Sequence, residues 1–194
     1  MVEIILASKS KVRKEILDRN NVQNKVIPSN VDEDIIKKNL LKDKASPETT
    51  SKILAELKAN KVSQKYRDNL TLGADSVIDL DGEIISKPSD REGALKILRK
   101  LNGRKHQLIS SVCISKNGNM IWNYTDKADL TMKKMTDDEL KIYLSKIKDK
   151  DLYAYNVYQI EGQGKFLFSS IKGDKNTIMG LPIKQIKKYL SLFE

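Results

Sequence analysis

Gly73-Ala74-Asp75-Ser76-Val77 lies at the centre of the run Leu70–Leu80, and this run decides the fold of the chain. It places a carboxylate and a hydroxyl within a largely apolar stretch, and Asp81-Gly82 follows it directly. An Asp-Gly pair between two strand-like runs is typical of a two-residue β-hairpin turn. We therefore predict a strand over 70–80 and an antiparallel partner over 83–87.

The hairpin brings a lysine toward the polar centre of the strand in either of two registers. A two-residue turn sets Lys87 opposite Ser76, whereas a three-residue loop sets it opposite Asp75. A carboxylate can bind a divalent cation or take a proton from water, and a lysine can neutralise phosphate oxygens. The grouping suits metal-assisted phosphate chemistry. A surface hairpin with scattered charges is the alternative that these residues alone leave open.

Strands and helices alternate along the rest of the chain. Strands are predicted over 2–7, 25–28, 107–116, 120–124, 126–134 and 166–171. Helices are predicted over 12–20, 47–66, 89–101 and 136–146 and after Pro182, with an acidic loop over 30–34 and a Ser89/Glu92 capping box. Two hairpins argue against an all-parallel sheet. We predict an α/β fold, a mixed twisted sheet with flanking helices, in one domain over 1–194.

The composition favours anionic partners. Lys and Arg number 36 against 26 Asp and Glu, a net charge of +10. The lysines are dispersed and aromatic residues are only 6% of the chain, so stacking platforms for nucleic acid are not indicated. A basic nucleic-acid-binding protein without catalysis remains the rival class. No apolar run approaches the ~18 residues of a membrane span, and the N-terminal run does not suit a signal peptide.

A single cysteine, Cys113, permits no internal disulfide and agrees with a reducing cytoplasm, where we expect the protein. It lies in a strand-like run and is predicted to be a core residue. His106, the single histidine, is assigned to packing or capping. The composition supports neither a zinc site nor a Ser-His-Asp triad.

Three further segments are candidates for phosphate or metal binding. Ser8-Lys9-Ser10 joins a strand to a helix, where backbone N–H groups and the helix dipole favour an anion. Arg13, in the first helical turn, can fork onto a phosphate. Glu33 in the acidic loop could bind a metal, and Lys58 lies mid-helix. The simpler alternatives are an N-capped helix, a solvated acidic loop and an exposed lysine.

Together these segments resemble the Maf family of nucleoside triphosphate pyrophosphatases, nearly end to end and in order. The matching segments are Leu6-Ala7-Ser8-Lys9-Ser10 with Arg13, Val31-Asp32-Glu33, Leu54-Ala55 with Lys58-Ala59, Gly73-Ala74-Asp75-Ser76-Val77, Lys87-Pro88, Leu101-Asn102-Gly103 with His106, Glu161-Gly162, and Asn176 with Gly180-Leu181-Pro182. No single motif is decisive, but their occurrence together and in order is specific.

The resemblance implies hydrolysis of a nucleoside triphosphate to the monophosphate and pyrophosphate with a divalent cation, Mg or Mn. It implies two lobes around a central cleft, similar in shape to inosine triphosphate pyrophosphatases. Asp75 would be the proton acceptor, and Asp75 with Glu33 would hold the metal. Ser8, Arg13, Lys58 and Lys87 would bind the phosphates. The family's proposed roles are nucleotide-pool sanitation and cell-division arrest.

Departures from the family pattern concern the base. Lys11 replaces the family proline, and the positions that flank the cleft carry Val12, Ser76 and Glu161. Glu161 stands where the pyrimidine-preferring branch has Gln and the branch acting on methylated guanine nucleotides has Glu. We expect these three residues to set specificity. We expect no membrane and no stable nucleic-acid partner, and leave a homodimer open.

Overall fold

The computed structural model describes residues 2–149, 152, 157, 158, 160 and 162–193. The chain divides into two compact units. The first unit comprises Met1–Val77, Ile109–Lys127 and Asp174–Glu194, and the second comprises Ile78–Leu108 and Ala128–Gly173. None of the helices in the described ranges has the length and apolar character that crossing a membrane requires.

Within the described residues, seven strands form one mixed sheet. They are β1 (Ile4–Leu6), β2 (Asn24–Val26), β3 (Leu70–Leu80), β4 (Glu83–Ile85), β5 (Lys105–Lys116), β6 (Asn119–Met132) and β7 (Phe168–Lys172). The order is β2-β1-β3-β5-β6-β7, with β4 paired to β3. β1 runs parallel to β2 and β3, whereas the β3–β4 and β6–β7 pairs are antiparallel. The predicted mixed sheet is confirmed.

Helices alternate with the strands along the chain, as predicted for an α/β fold, and two of the described helices follow the last strand. They are α1 (Lys11–Arg19), α2 (Glu33–Lys42), α3 (Pro47–Ser63), α4 (Arg91–Leu101), α5 (Asp137–Ser145), α6 (Lys175–Ile178) and α7 (Ile183–Leu190). Short 3₁₀ helices cover Gln163–Leu167 and Ser191–Phe193. Ser46 caps α3 with Pro47 in its first turn, and Thr136 caps α5 in a capping box with Glu139.

Four local predictions were wrong. The acidic segment is not a loop, because Asp32 accepts a hydrogen bond from the Ile35 amide and begins α2. The N-cap of α4 is Asp90, whose carboxylate accepts from the Gly93 amide at 2.6 Å, so Ser89 and Glu92 form no capping box. The strands predicted over 120–124 and 126–134 are one strand, β6. The short helix α6 was not predicted; Asp174 caps it.

The hairpin after β3 has a two-residue turn. The register pairs Ile78 with Ile85 and Leu80 with Glu83. Asp81 and Gly82 have φ angles of 53° and 87°, the left-handed pair that a type I′ turn requires. The register is the one predicted for a two-residue turn, but the partner strand is shorter than the predicted 83–87. The strand pairing ends at Ile85, two residues before the exposed Lys87, so the position of Lys87 opposite Ser76 stays a prediction.

A hydrophobic core in the first unit fixes β1 and β3. Ile4, Leu6 and Leu72 are fully buried against Ile16 and Leu17 of α1. On the other face of β1, Ile5 and Ala7 pack with Val62 of α3. Apolar contact on both faces is typical of an inner parallel strand. The ends of β1 and β3 are therefore held in place beside α1 and α3.

Candidate active site

Close contact between β3 and α3 places Asp75 beside Lys58. Gly73 lies so near α3 that a Cβ on it would stand 2.1 Å from the Ala55 carbonyl oxygen. Ala55 and Ala59 form the small-residue surface of α3 at this point. Lys58 leaves the same helix, and Asp75 follows Gly73 by two residues on β3. The sequence carries a signal for this contact, because the three residues that face one another, Gly73, Ala55 and Ala59, are all small.

A buried charge cluster results, with Lys58 at its centre. The Lys58 Nζ lies 2.8 Å from Asp75 Oδ1 and 2.8 Å from Glu33 Oε1. The side chains of Lys58 and Asp75 are only 6% and 5% exposed, whereas that of Glu33 is 41% exposed. The interpretation of Lys58 as an ordinary exposed lysine is wrong. Because Lys58 pairs with Asp75, neither of these two buried charges is left without a partner, and the more exposed Glu33 shares the same ammonium.

Glu33 reaches the cluster from the first turn of α2. Burial acts to raise the pKa of Glu33, but the charges of Lys58, Lys37 and Arg13 outweigh it and hold that pKa below its usual value. Glu33 is therefore an anion at neutral pH. Helix α2 begins at Glu33, so the start of this helix sets the position of the Glu33 carboxylate in the cluster.

Arg13 is held by four hydrogen bonds from its guanidinium. Nε donates to the Gly180 carbonyl at 3.0 Å, one terminal nitrogen donates to the Ala74 carbonyl at 2.9 Å and Ser8 Oγ at 3.2 Å, and the other donates to Ser76 Oγ at 3.2 Å. Burial lowers the pKa of Arg13, while the carboxylates of Asp75 and Glu33 act to raise it. The side chain is thus fixed as a cation near two anions.

The start of α1 orders the serines predicted to bind phosphate. Ser10 caps the helix by accepting from the Arg13 amide at 3.3 Å. Ser8 Oγ accepts from the Ser10 amide at 3.2 Å as well as from the Arg13 guanidinium. Ser8 is buried beside the arginine. The capping role is confirmed, and an anion site at this turn stays a prediction.

The first unit thus brings together Ser8, Arg13, Glu33, Lys58, Asp75 and Ser76. Val12 lies on α1 and packs against the core. Lys87 belongs to the second unit, and Glu161 lies outside the described residues. Sequence reasoning missed Ser110, whose hydroxyl pairs with that of Ser76 at 2.8 Å. No motif marks it within the strand-like run around it.

The carboxylates fit a hard divalent cation. Asp75 Oδ2 is buried and has no hydrogen-bond partner among the described residues. Glu33 and Asp75 converge on the same Nζ, so their oxygens lie close together. Mg²⁺ is usually bound by one or two carboxylates together with substrate phosphates. The described ranges contain no group of three or more His, Cys, Asp or Glu arranged for a metal, so these two carboxylates would need further oxygen ligands.

Comparisons with known proteins give consistent matches. A family model described as Maf-like protein matches residues 3–193. A nucleoside triphosphate pyrophosphatase from Pelagibacter ubique is 68% identical over 99% of this chain and 98% of its own length. A 7-methyl-GTP pyrophosphatase from Rhizobium etli is 34% identical over 93% of this chain and 91% of its own.

A solved structure also overlaps with this one. It is the nucleoside-triphosphatase, or dITP/XTP pyrophosphatase, from Mycobacterium abscessus, which is 11% identical with a TM-score of 0.45. The overlap covers 99% of this chain and 94% of the other.

Proposed function

Because this chain belongs to the Maf-like protein family, we propose that it hydrolyses a nucleoside triphosphate to the monophosphate and pyrophosphate. The observation that carries the proposal is the buried cluster of Asp75, Lys58 and Glu33 beside Arg13. It combines two cations with a carboxylate that has one oxygen without a hydrogen-bond partner in the described part of the chain, as hydrolysis of a polyanion requires. The names of the relatives, nucleoside triphosphate pyrophosphatase and 7-methyl-GTP pyrophosphatase, support the same activity.

Asp75 is the proton acceptor in this proposal. Its Oδ1 is held by Lys58 at 2.8 Å, which leaves Oδ2 to orient a water molecule. As the water oxygen bonds to the α-phosphorus, its proton passes to Asp75 and the bond from phosphorus to the bridging oxygen breaks. Pyrophosphate carries away the electron pair of that bond. General-base assistance of this kind typically contributes ~10²–10⁴-fold to the rate.

The cations would stabilise charge that grows on phosphate oxygens in the transition state. Arg13 offers a preorganised positive charge, because four of its five N–H groups already donate to Ser8, Ala74, Ser76 and Gly180. It therefore acts on phosphate oxygens through its charge and one remaining N–H, and the expected two-pronged fork onto a phosphate is not available in this arrangement. Lys58 supplies a buried ammonium. Lys87 is the remaining phosphate-binding residue that the family resemblance implies. Fixed donors cost no reorganisation at the moment of reaction.

A divalent metal, Mg²⁺ or Mn²⁺, would be held by Asp75 and Glu33. The ion would neutralise charge on the triphosphate. Carboxylate oxygens are the donors that such hard ions prefer. Asp75 Oδ2, which has no other partner among the described residues, serves either the ion or the water, because one carboxylate oxygen cannot be both a tight metal ligand and a free base. Lys58 then has the separate task of holding Asp75 in place through its 2.8 Å contact with Oδ1.

The preferred base in this proposal is a guanine-like purine, set by Glu161 with Ser76 and Val12. A carboxylate accepts hydrogen bonds, and guanine offers two donors side by side, N1–H and the 2-amino group. Uracil and thymine carbonyls would instead need a donor such as Gln. Val12, half-buried against the core, has no aromatic surface for stacking, which points to a broad tolerance among purines.

Glu161→Gln tests this specificity. We expect the variant to shift kcat/KM toward uridine and thymidine triphosphates, because the amide can donate to a carbonyl where the carboxylate cannot. The measurement is kcat/KM across a panel of purine, pyrimidine and 7-methylguanine nucleotides. A wild type that already prefers pyrimidines, or an unchanged ranking in the variant, contradicts the role of Glu161.

Asp75→Asn tests the activity and its proton acceptor together. We expect turnover to fall by at least about a hundredfold while the fold is retained, because the amide is nearly isosteric but is not a base. Asp79→Asn is the matched control: it lies on the same strand, and its carboxylate serves the turn by accepting from the Gly82 amide. Pyrophosphate release is the measurement. A folded Asp75→Asn protein with near-normal turnover would remove Asp75 from the mechanism.

A further inference from the structure

We propose that Ser110 is a positioning residue for Arg13, acting through Ser76; this inference rests on the proposed function. Ser110 lies on β5 and does not touch the guanidinium. It belongs to a closed ring of hydrogen bonds that includes Arg13. Its own bonds determine which hydroxyl in the ring donates a proton and which accepts one.

The ring joins four segments of the first unit. Arg13 donates to Ser76 Oγ at 3.2 Å, and Ser76 pairs with Ser110 at 2.8 Å. Ser110 Oγ donates to the Thr177 carbonyl at 2.8 Å, and the Gly180 amide donates to that same carbonyl at 2.9 Å. The Gly180 carbonyl then accepts from Arg13 Nε at 3.0 Å, which closes the ring.

The direction of each hydroxyl in the ring follows from proton count. A serine hydroxyl has one proton, and a carbonyl oxygen can only accept. Because Ser110 gives its proton to the Thr177 carbonyl, it must accept in its bond with Ser76. Ser76 therefore donates to Ser110 and presents lone pairs to Arg13. Ser110 thus makes Ser76 an acceptor at the position that the guanidinium occupies.

Tight packing holds this polarity in place. Ser110 and Thr177 are both 0% exposed. A Cβ added at Gly180 would stand 3.0 Å from Ser76 Oγ and 3.4 Å from two nitrogens of Arg13, so the ring closes around a glycine. The φ of Gly180 is +93°, a conformation that glycine adopts without strain. The Thr177 hydroxyl adds an anchor by donating to Asp126 at 2.6 Å.

Loss of the Ser110 hydroxyl should act on Arg13 through Ser76. With no acceptor at residue 110, the Ser76 hydroxyl is free to rotate, and its proton can turn toward the guanidinium that it now faces with lone pairs. Arg13 would lose a fixed acceptor and become less ordered. Triphosphate binding and catalysis should both suffer, without any change in the charge of the site.

The experiment compares Ser110→Ala with Ser111→Ala. Ser111 is the adjacent residue on β5, equally buried, and its hydroxyl pairs with Thr125 instead. We would measure binding of inorganic tripolyphosphate by calorimetry, kcat/KM for pyrophosphate release, and thermal unfolding. We expect Ser110→Ala to weaken tripolyphosphate binding and to lower kcat/KM by about tenfold each. The reason is that a charged group, the Arg13 guanidinium, loses one ordered hydrogen-bond acceptor. Ser111→Ala should stay within twofold in both.

A double-mutant cycle with Ser76→Ala separates positioning from a structural role. If Ser110 acts through the Ser76 proton, Ser110→Ala should have no further effect on binding or kcat/KM when Ser76 is already alanine. A loss that is the same in both backgrounds, or a Ser110→Ala protein within twofold of wild type, overturns the proposal. If Ser110→Ala does not fold, Ser110→Cys replaces it in the double-mutant cycle, since the thiol keeps only a weak hydrogen-bond donor.

The readouts also separate this inference from the proposed function. If the wild type releases no pyrophosphate from any nucleotide, the proposed function fails. The binding of tripolyphosphate then still tests the role of Ser110. If the wild type is active and the cycle shows no coupling, only the role of Ser110 fails. A wild type that neither binds tripolyphosphate nor releases pyrophosphate overturns both.

Discussion

Lys58 is the residue that connects the charges of the candidate site. Two carboxylates, Asp75 and Glu33, share its ammonium at 2.8 Å each. Removal of one partner from a buried ion pair leaves an uncompensated charge, which costs far more than an exposed pair contributes. Lys58 therefore has a structural effect as well as its proposed role toward phosphate.

Lys58→Met should destabilise the protein by about 3–5 kcal/mol, because Asp75 would remain buried without a counter-charge. The control is Lys52→Met on the same helix, where the exposed pair with Glu48 should contribute no more than ~1 kcal/mol. Urea denaturation measures both. The double variant Lys58→Met/Asp75→Asn should regain part of the loss, since the buried charge is then absent. Equal losses for Lys58 and Lys52 would refute the buried-pair argument.

At the scale of elements, the contact of β3 with α3 sets the geometry of the cluster. Asp75 and Lys58 come from different elements, and their 2.8 Å contact requires the strand and the helix to approach closely. Gly73, Ala55 and Ala59 permit this approach. Any side chain at residue 73 must push the elements apart.

Gly73→Ala should destabilise the protein by roughly 3 kcal/mol, because its methyl group would meet the Ala55 carbonyl and the Ala59 amide, and backbone cannot move aside cheaply. Gly82→Ala is the matched control: no atom lies within 4 Å of its added Cβ, so only its positive φ is strained, at about 1 kcal/mol. Thermal or urea unfolding compares the two. The contact argument fails if Gly82→Ala proves the more destabilising.

Elements with local signals were predictable from sequence, and contacts between elements were not. Asp81-Gly82 and Ser46-Pro47 each specify their turn or cap within a few residues, and both features are found. α2 was missed because Asp32 looks equally suited to a solvated loop and an N-cap. Lys58 could not be recognised as buried, since its burial depends on Asp75 and Glu33, 17 and 25 residues away.

At the scale of the whole molecule, much of the charge is paired locally. Several lysines bond a carboxylate four residues away on the same helix, among them Lys14–Asp18, Lys52–Glu48, Lys96–Glu92 and Lys141–Asp137. Such pairs keep the surface solvated and provide no continuous basic stripe. The net charge of +10 is therefore weak support for a nucleic-acid-binding protein.

The response of the molecule to acid has two separable parts. Burial lowers the pKa of His106 to about 4, so the buried ring is neutral in the folded protein at neutral pH. Glu33 has a pKa below its usual value. For both groups the unfolded chain binds more protons than the folded one as the pH falls, so stability falls too. His106 acts first, from about pH 6.5 downward. Glu33 acts below about pH 4.5, together with the other carboxylates whose pKa values are lowered, among them Glu48 and Asp174.

The His106 part should appear alone between pH 6.5 and 5. Over that range the unfolded chain goes from about half a proton to nearly one full proton more than the folded chain, which corresponds to about 1.6 kcal/mol of lost stability. His106 is the only histidine in the chain, so the slope has one source among the side chains that ordinarily titrate there.

His106→Gln keeps a polar partner for the Tyr158 hydroxyl, which lies 2.9 Å from Nε2 in the wild type. The free energy of unfolding of the variant differs from that of the wild type, but it should change little with pH across this range. Urea titrations of both proteins at several pH values measure the slopes, and a variant as steep as wild type would mean that His106 is not the group that titrates.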